Sequence, residues 1–234
     1  MRAAAIIYFY TINRVNLNSK HIGRFKPANR KIRKNDKAYS HNQILQLLNC
    51  SDIKEKAMVL LMCSTGVRIG ALPLLTIGSL QKVEPQGYPN AHLYKIIIYE
   101  HEQETHYSYC TFECASAIDS YREFREQRGE VLNENSPLIR ENFDTENMIA
   151  TARPKFLTLK AFRSAFERLV ERSGIRVKRD SEITVRKQEY KTGRHLYEVP
   201  LTHGFRKFVI TQFKKAKVDI SIQEMRRNEI LWTL

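Results

Sequence analysis

Apolar residues recur three and four positions apart along much of the chain, which is the spacing of an amphipathic helix. Ser40 is a good N-cap for a helix whose apolar stripe runs through Ile44 and Leu48, and residues 52–62 predict a second helix. The same spacing predicts helices over residues 115–127, 160–173 and 202–216, with Gly174 as the C-cap of the second of these. A further helical segment is predicted over residues 1–18.

Three stretches are enriched in β-branched and aromatic residues, which is typical of strands. They cover residues 77–83, 93–99 and 105–112 and follow a short predicted helix over residues 71–75. We expect them to form one antiparallel sheet. The predicted fold class is therefore α+β, mainly α-helical, with a small three-stranded antiparallel sheet.

The second predicted helix is apolar on nearly every side over residues 57–63, so we expect it at the centre of the protein. Ser64, Thr65 and Gly66 would end it just before Arg68. An arginine at such an interior helix junction needs a partner, because an unpaired buried charge costs several kcal/mol. A bound phosphate would be a suitable one.

Charge changes this picture from that of an ordinary globular protein. The formal net charge is +14, and it is segregated along the chain. Residues 20–37 hold eight basic residues against one acid, residues 153–227 hold twenty against eight, and residues 100–146 hold twelve acids against four arginines. Basic runs can be solvated surface, but this distribution favours a clamp on a polyanion, with the acidic segment on an outer, solvated face.

Four cysteines in 234 residues do not make a disulfide framework, which indicates a reducing interior and a cytoplasmic protein. The apolar run over residues 3–10 is too short to span a bilayer, so we expect no membrane association. His101, His106, Cys110 and Cys114 could be drawn as a zinc site, but their spacings match no familiar zinc finger. We expect neither a metal nor a cofactor.

Three residues could bind one phosphate. His203 and Arg206 are three apart at the start of a predicted helix, so their side chains share a face, and Arg68 follows the glycine of the motif STGVRIG. Guanidinium groups match non-bridging phosphate oxygens, and a histidine can add a hydrogen bond or move a proton. Together they could stabilise a five-coordinate phosphoryl transition state without a metal.

The order of these motifs resembles the catalytic domain of the tyrosine recombinases, the phage-integrase family, and especially its archaeal branch. The resemblance covers residues 39–230 and rests on LLMCSTGVRIGALPLLTIGSL, TFECASAIDSYREFREQRGE and LTHGFRKFVITQFKKAKVDISIQEM. It implies that Arg68, His203 and Arg206 hold a DNA phosphate while a tyrosine attacks it, giving a 3′-phosphotyrosyl intermediate and a free 5′-hydroxyl. Lys207 beside the second box and Lys31, Arg33 and Lys34 in the basic run are the expected DNA contacts.

The family also uses a lysine near the second and third strands as the general acid for the leaving oxygen. The predicted turn at residues 101–104 contains no lysine, and Lys95, one strand earlier, is the nearest candidate. An ordinary strand lysine is the alternative interpretation of Lys95. His101 or His106 could then supply the proton instead.

The nucleophile is the other departure from the family pattern. All eleven tyrosines precede His203, and at the family's third box stand Arg227 and Asn228, of which the asparagine donates a hydrogen bond but transfers no proton. On this resemblance, residues 1–37 are expected to be a remnant of the core-binding domain with its basic linker. Residues 38–234 are expected to be a catalytic domain that is incomplete at its C-terminus.

Three functions remain open at this point. The first is a DNA-associated protein of site-specific recombination or integration, inactive in strand cleavage unless a second protomer, in a homo-oligomer or as a complementing recombinase, supplies the tyrosine. The second is a noncatalytic regulator that competes with an intact integrase for double-stranded DNA. A basic RNA-binding protein ranks last, because RNP-type glycine and aromatic motifs are missing from the sequence.

Overall fold

The structure is a computed structural model that describes residues 12–13, 37–88, 91–100, 105–142, 151, 153–175, 199 and 201–217. The chain divides into two compact units, Met1–Asp36 and Lys37–Leu234. Of the first unit only Ile12 and Asn13 are described, so the helix predicted over residues 1–18 and the basic linker lie outside the described residues. The elements with described bounds all belong to the second unit.

Two capped helices open the second unit, as the apolar pattern predicts. Helix α1 spans His41–Asn49, and Ser40 forms a capping box with Gln43 in which each side chain bonds the other residue's backbone N–H. Helix α2 spans Ile53–Thr65 and begins with the equivalent capping box of Asp52 and Glu55. Both helices are thus confirmed, and α2 ends at Gly66, two residues before Arg68.

The short helix predicted over residues 71–75 is a 3-10 helix at Ile69–Leu74. Its tighter winding follows from Pro73, which has no N–H to donate and disfavours α-helical backbone at Leu72. A second 3-10 turn at Ile77–Ser79 occupies the start of the first predicted strand. There the N–H of Gly78 donates to the carbonyl of Glu134 at 2.8 Å, so these residues bond to a loop rather than to a neighbouring strand.

The predicted three-stranded antiparallel sheet is present, in the order β1-β2-β3. Its strands are β1 at Leu80–Val83, β2 at Leu93–Ile98 and β3 at His106–Tyr109. Residues of β2 alternate between buried and half-buried positions, which gives the sheet an inner face with Tyr94 and Ile96 and an outer face with Lys95. On β3 the outer face carries Tyr107 and Tyr109, both half exposed.

Three longer helices follow in the described part of the unit: α3 at Phe112–Glu126, α4 at Leu159–Ser173 and α5 at His203–Lys215. Helix α3 begins three residues earlier than its apolar stripe predicts, because the Thr111 side chain accepts a hydrogen bond from the Cys114 N–H and caps it there. The third strand is correspondingly shorter than predicted. Gly174 is the left-handed C-cap of α4, as expected.

Helix α2 lies at the centre of the core. Its residues Ala57, Met58, Val59, Leu61 and Met62 are all at most 1% exposed. It packs against α1, α3 and α5 and reaches β3. This central position explains why α2 is apolar on nearly all sides. It also places the C-terminal end of α2 against α5. No helix of the described residues is long and apolar enough to cross a membrane.

The acidic segment is only partly a solvated face. Glu113, Glu123 and Glu126 are exposed on α3, but Glu130 is 3% exposed and binds two buried arginines. Arg125 donates to Glu130 from Nε at 3.0 Å and from Nη2 at 2.5 Å, and Arg140 donates from Nη1 at 2.8 Å. Burial acts to raise the pKa of Glu130, but the hydrogen bonds from both arginines outweigh it, so the pKa lies below its ordinary value.

Candidate functional site

Arg68 is held at a tight junction between α2 and the 3-10 helix. The Thr65 hydroxyl donates to the carbonyl of Leu61 at 2.6 Å and accepts from the N–H of Val67 at 3.2 Å, so it bonds on both sides of the helix end. Gly66 then adopts a left-handed conformation with φ of 64°. These bonds fix the backbone immediately before Arg68, which is itself half-buried.

The second motif lies on the first two turns of α5. His203 is exposed at the first helical position, and Arg206 is half-buried one turn later. Their spacing places both side chains on one face, as the sequence predicts. The N-cap residue of this helix, Thr202, makes no side-chain capping hydrogen bond.

One hydrogen bond brings the two motifs together. The Nη1 atom of Arg206 donates to the carbonyl oxygen of Gly66 at 2.7 Å, although the two residues are 140 positions apart in sequence. A Cβ atom on Gly66 would also lie 3.4 Å from the Val209 side chain, so α5 passes close to this turn. Arg206 therefore lies against the backbone two residues from Arg68.

One hydrogen bond and one close approach link the sheet to this junction. The Ser108 hydroxyl on the inner face of β3 donates to the carbonyl of Thr65 at 3.4 Å. At the end of β2, Tyr99 has a positive φ of 54°, and its carbonyl accepts a 2.7 Å hydrogen bond from the Thr105 hydroxyl. The Tyr99 hydroxyl lies 3.9 Å from where a Cβ on Gly70 would stand, so this end of the hairpin reaches the 3-10 helix after Arg68.

The candidates for a proton donor lie on different faces of the sheet. Lys95 is on the outer face, where its Nζ stands 3.9 Å from the centroid of the Tyr107 ring. His106 is on the inner face, and its ring lies 5.8 Å from that of Tyr99, centroid to centroid. His106 thus lies beside the residue that approaches Gly70, whereas Lys95 lies over the Tyr107 ring on the opposite face. His101 lies outside the described residues.

Of the expected DNA contacts, Lys207 is described: it is half-buried on α5 next to Arg206. Lys214 and Lys215 are exposed in the last turn of the same helix. Lys31, Arg33 and Lys34 lie outside the described residues.

Of the residues that could be drawn as a zinc site, Cys110 and Cys114 are buried, His106 is half-buried and His101 lies outside the described residues. Cys110 accepts a hydrogen bond from the N–H of Tyr94 at 3.2 Å and shares a thiol hydrogen bond with Cys114 in the first turn of α3, and both cysteines are free. The hydrogen bond to Cys110, together with burial, raises the pKa of Cys114, so this thiol is held in its protonated form. Within the described part of the chain, groups of three or more metal-ligating side chains do not occur.

Sequence reasoning missed the groups that hold the site together. The Gly66 carbonyl accepts from Arg206, and Tyr39 packs against the turn before His203 with its hydroxyl 3.1 Å from the Leu201 carbonyl. Neither contact has a local sequence signal, because each joins residues more than 130 positions apart. The glycine in THGF was the available hint, since a glycine in a helical turn often allows a close backbone approach.

The described arrangement can bind an oxyanion. Two arginine side chains from different elements supply planar donors, and an exposed imidazole at a helix N-terminus adds a third group. The bond to Gly66 fixes the guanidinium of Arg206 in position through one nitrogen, and the same group carries further N–H donors. A donor held in place in this way can stabilise a negative charge that develops beside it.

No protein-family model matches the sequence, and no curated protein matches it significantly. Solved structures resemble it in fold. A crystal structure of XerA recombinase has a TM-score of 0.53 at 18% identity and covers 94% of this chain. The site-specific recombinase XerH, in a pre-cleavage complex with its difH substrate, has a TM-score of 0.52 at 15% identity and also covers 94%.

This chain spans 61% of the length of the XerA chain and 55% of that of XerH. At these identities the likeness concerns the fold alone. The mainly helical unit with its small antiparallel sheet has the fold of tyrosine-recombinase catalytic domains, which confirms the predicted fold class.

Proposed function

We propose that this chain is a DNA-binding protein of site-specific recombination, in which Arg68, His203 and Arg206 hold one phosphate of double-stranded DNA. The observation that carries this proposal is the 2.7 Å hydrogen bond from Arg206 to the Gly66 carbonyl, which joins the two arginine motifs. The fold shared with XerA and XerH and the formal net charge of +14 support it. The archaeal branch of the family is the one the motifs resemble most.

Each residue has a distinct role in this proposal. Arg68 and Arg206 bind the non-bridging oxygens and offset the charge that develops on phosphorus, and His203 donates a hydrogen bond to the same group. A tyrosine hydroxyl attacks the phosphorus and releases its proton, the tyrosyl ester forms as the bond to the 5′-oxygen breaks, and that oxygen takes up one proton and leaves as a 5′-hydroxyl. The phosphodiester energy is kept in the ester, so no cofactor is needed.

The leaving oxygen needs a proton donor, and Lys95 is the residue the family pattern first indicates. Its place on the outer sheet face, over the Tyr107 ring, favours an ordinary strand lysine. His106, whose ring is tilted against that of Tyr99 at the hairpin end that approaches Gly70, has better support as the donor. Lys95→Met and His106→Gln are compared in a cleavage assay on two substrates, one with the ordinary 5′-oxygen leaving group and one with a 5′-sulfur in its place. Replacing the true donor slows cleavage of the oxygen substrate only, because only that leaving group needs a proton.

The nucleophile is the open part of the mechanism. The 234 residues contain no tyrosine after Tyr197, and the described tyrosines of β2 and β3 are sheet residues. We therefore propose that a tyrosine from outside these residues, for example from a second recombinase protomer on the same DNA, completes the site. The same observation favours a second candidate function, a noncatalytic regulator that occupies attachment sites.

A suicide substrate distinguishes the two functions. A DNA duplex with a 5′-bridging phosphorothiolate traps the covalent intermediate, because the released thiol cannot attack the phosphotyrosine efficiently. The chain is incubated with this duplex alone, and then with a second recombinase protomer that carries a tyrosine but has its own arginines replaced. Arg68→Ala is the matched variant in both assays.

Covalent capture that appears only with the second protomer and disappears in Arg68→Ala supports a complemented recombinase. DNA retention without capture in either mixture favours the regulator. Capture by this chain alone would contradict the assignment of the nucleophile to another segment, and capture that survives Arg68→Ala would contradict the phosphate site itself.

A further inference from the structure

Tyr39 precedes α1 and lies directly against the turn that carries His203. Its side chain is 3% exposed, and its ring centroid lies 4.6 Å from that of Phe205. The Tyr39 hydroxyl donates to the carbonyl of Leu201 at 3.1 Å, and its backbone N–H donates to the carbonyl of Gly204 at 3.5 Å. One residue therefore bonds on both sides of His203.

Gly204 shows how close this approach is. A Cβ atom at Gly204 would stand 2.7 Å from the Tyr39 ring and 2.6 Å from the Cγ1 of Val199, distances that real Cβ atoms do not show. The ring of Tyr39 and the side chain of Val199 thus occupy the space that a side chain at position 204 would need. The position of the Tyr39 ring therefore determines how closely this turn can approach the segment before α1.

Helix α5 also differs from the other capped helices in how its N-terminus is held. Ser40, Asp52, Thr111 and Thr158 each accept a backbone hydrogen bond at the start of their helices, but Thr202 makes no side-chain cap. A missing cap leaves the first turn less fixed by its own sequence. Tyr39 donates to the carbonyls of Leu201 and Gly204, so it does not bind the N–H groups that a cap would bind, but it holds the backbone of this turn against the segment before α1.

We infer that Tyr39 is a positioning residue that holds the first turn of α5 so that His203 and Arg206 meet the same phosphate as Arg68. The inference rests on the proposed function, because it takes the anion site as given and adds the residue that sets its geometry. Tyr39 acts through the backbone of residues 201–204 and does not touch the phosphate. Removing the Tyr39 hydroxyl lowers the fraction of molecules whose turn can bind phosphate, and the apparent phosphate affinity falls in proportion to that fraction.

The test is an NMR titration with inorganic phosphate as the probe. The readout is the imidazole signals of His203, which are assigned by their loss in His203→Gln. Tyr39→Phe keeps the ring against Gly204 and removes only the hydroxyl, and the exposed Tyr109→Phe is the matched control. We expect the phosphate dissociation constant of Tyr39→Phe to rise about threefold to tenfold, the range of one net hydrogen bond. Tyr109→Phe should match the parent chain.

Thermal unfolding is measured on the same samples, because a merely structural role would lower stability and leave the phosphate affinity of the folded protein unchanged. A Tyr39→Phe dissociation constant within about twofold of the parent would overturn the inference while leaving the phosphate site intact. If phosphate moves no His203 signal in the parent chain, the proposed site itself fails and the inference falls with it.

Discussion

The guanidinium of Arg206 and the carbonyl of Gly66 are joined by a 2.7 Å hydrogen bond that crosses 140 positions of sequence. This bond brings the two arginine motifs together, as the proposed phosphate site requires. It also fixes the direction of the Arg206 side chain before any ligand arrives, which is what a preorganised anion site requires.

Replacing either arginine should therefore affect chemistry far more than binding. We expect Arg68→Ala and Arg206→Ala to lower the rate of complemented cleavage by about 100-fold or more, the usual effect of removing one transition-state donor. Affinity for duplex DNA should fall by less than about tenfold, because each arginine meets one phosphate among many. Single-turnover cleavage and a DNA-binding titration measure the two effects, with the exposed Arg128→Ala as control. Equal cleavage rates would exclude this site.

Gly204 is predicted to tolerate no side chain. Gly204→Ala forces the Tyr39 ring or Val199 to move, and overpacking of this kind costs about 1–3 kcal/mol in the free energy of unfolding. Gly70→Ala is the matched control, since its Cβ would meet its nearest neighbour at an ordinary 3.9 Å. Urea unfolding of the two variants measures the difference. Equal midpoints would show that the first turn of α5 is not closely packed on Tyr39.

Glu130 should make the protein sensitive to acid. Its pKa in the folded chain lies below the ordinary value of about 4.3, so its contribution is complete above that pH and is lost as pH falls through the folded pKa. Glu130→Gln leaves the buried Arg125 and Arg140 without their charge partner, which costs about 3–5 kcal/mol at neutral pH. The exposed Glu126→Gln is the control. Urea unfolding of the parent chain and both variants between pH 3 and pH 8 measures the free energy of unfolding. At neutral pH we expect Glu130→Gln to fall below the parent by about 3–5 kcal/mol.

Two tyrosines should lose their protons at a higher pH than an ordinary tyrosine. Burial raises the pKa of Tyr94 to about 12, helped by its 2.6 Å hydrogen bond to Asp119, and burial raises that of Tyr121 to about 12. Because the unfolded value is about 10, Tyr94 contributes stability in full below that pH and loses it as pH rises through about 12. Ultraviolet titration of Tyr94→Phe should lack part of the late absorbance change. The exposed Tyr107→Phe should keep it.

The basic run before Lys37 is predicted to bind the DNA backbone without reading sequence. Replacing Lys31, Arg33 and Lys34 with glutamine should weaken binding to all duplexes and reduce the slope of log affinity against log salt, by about one unit for each phosphate that is no longer neutralised. Lys82→Gln, which removes a surface ion pair with Glu84, is the control. An unchanged slope in the triple variant would show that this segment does not touch the phosphates.

Local signals in the sequence were sufficient for most of the elements. Ser40 with Gln43 and Asp52 with Glu55 mark helix starts through bonds three residues long, so α1 and α2 could be predicted. The start of α3 was missed because Thr111 caps a turn that strand-like residues precede. The place of Arg68 and the shared face of His203 and Arg206 also followed from local spacing.

Contacts between distant residues could not be predicted in this way. Glu130 looks like one acid among twelve until Arg125 and Arg140 are found around it in the interior. Lys95 and His106 both belong to strands, and only the register of the sheet places them on opposite faces. The anchoring of Arg206 on Gly66 depends on how α2 and α5 pack, which no spacing rule contains.

The separation of the two motifs along the chain has a consequence for folding. Contacts between residues far apart in sequence carry the largest loop-closure cost and tend to form late. A chain in which α2 has already packed on α1 and α3 therefore has Arg68 in place but lacks the other half of the proposed anion site until α5 docks. The ability to bind phosphate then depends on the docking of one helix, α5. Bound phosphate should therefore slow hydrogen exchange of the α5 amides more than that of the α2 amides.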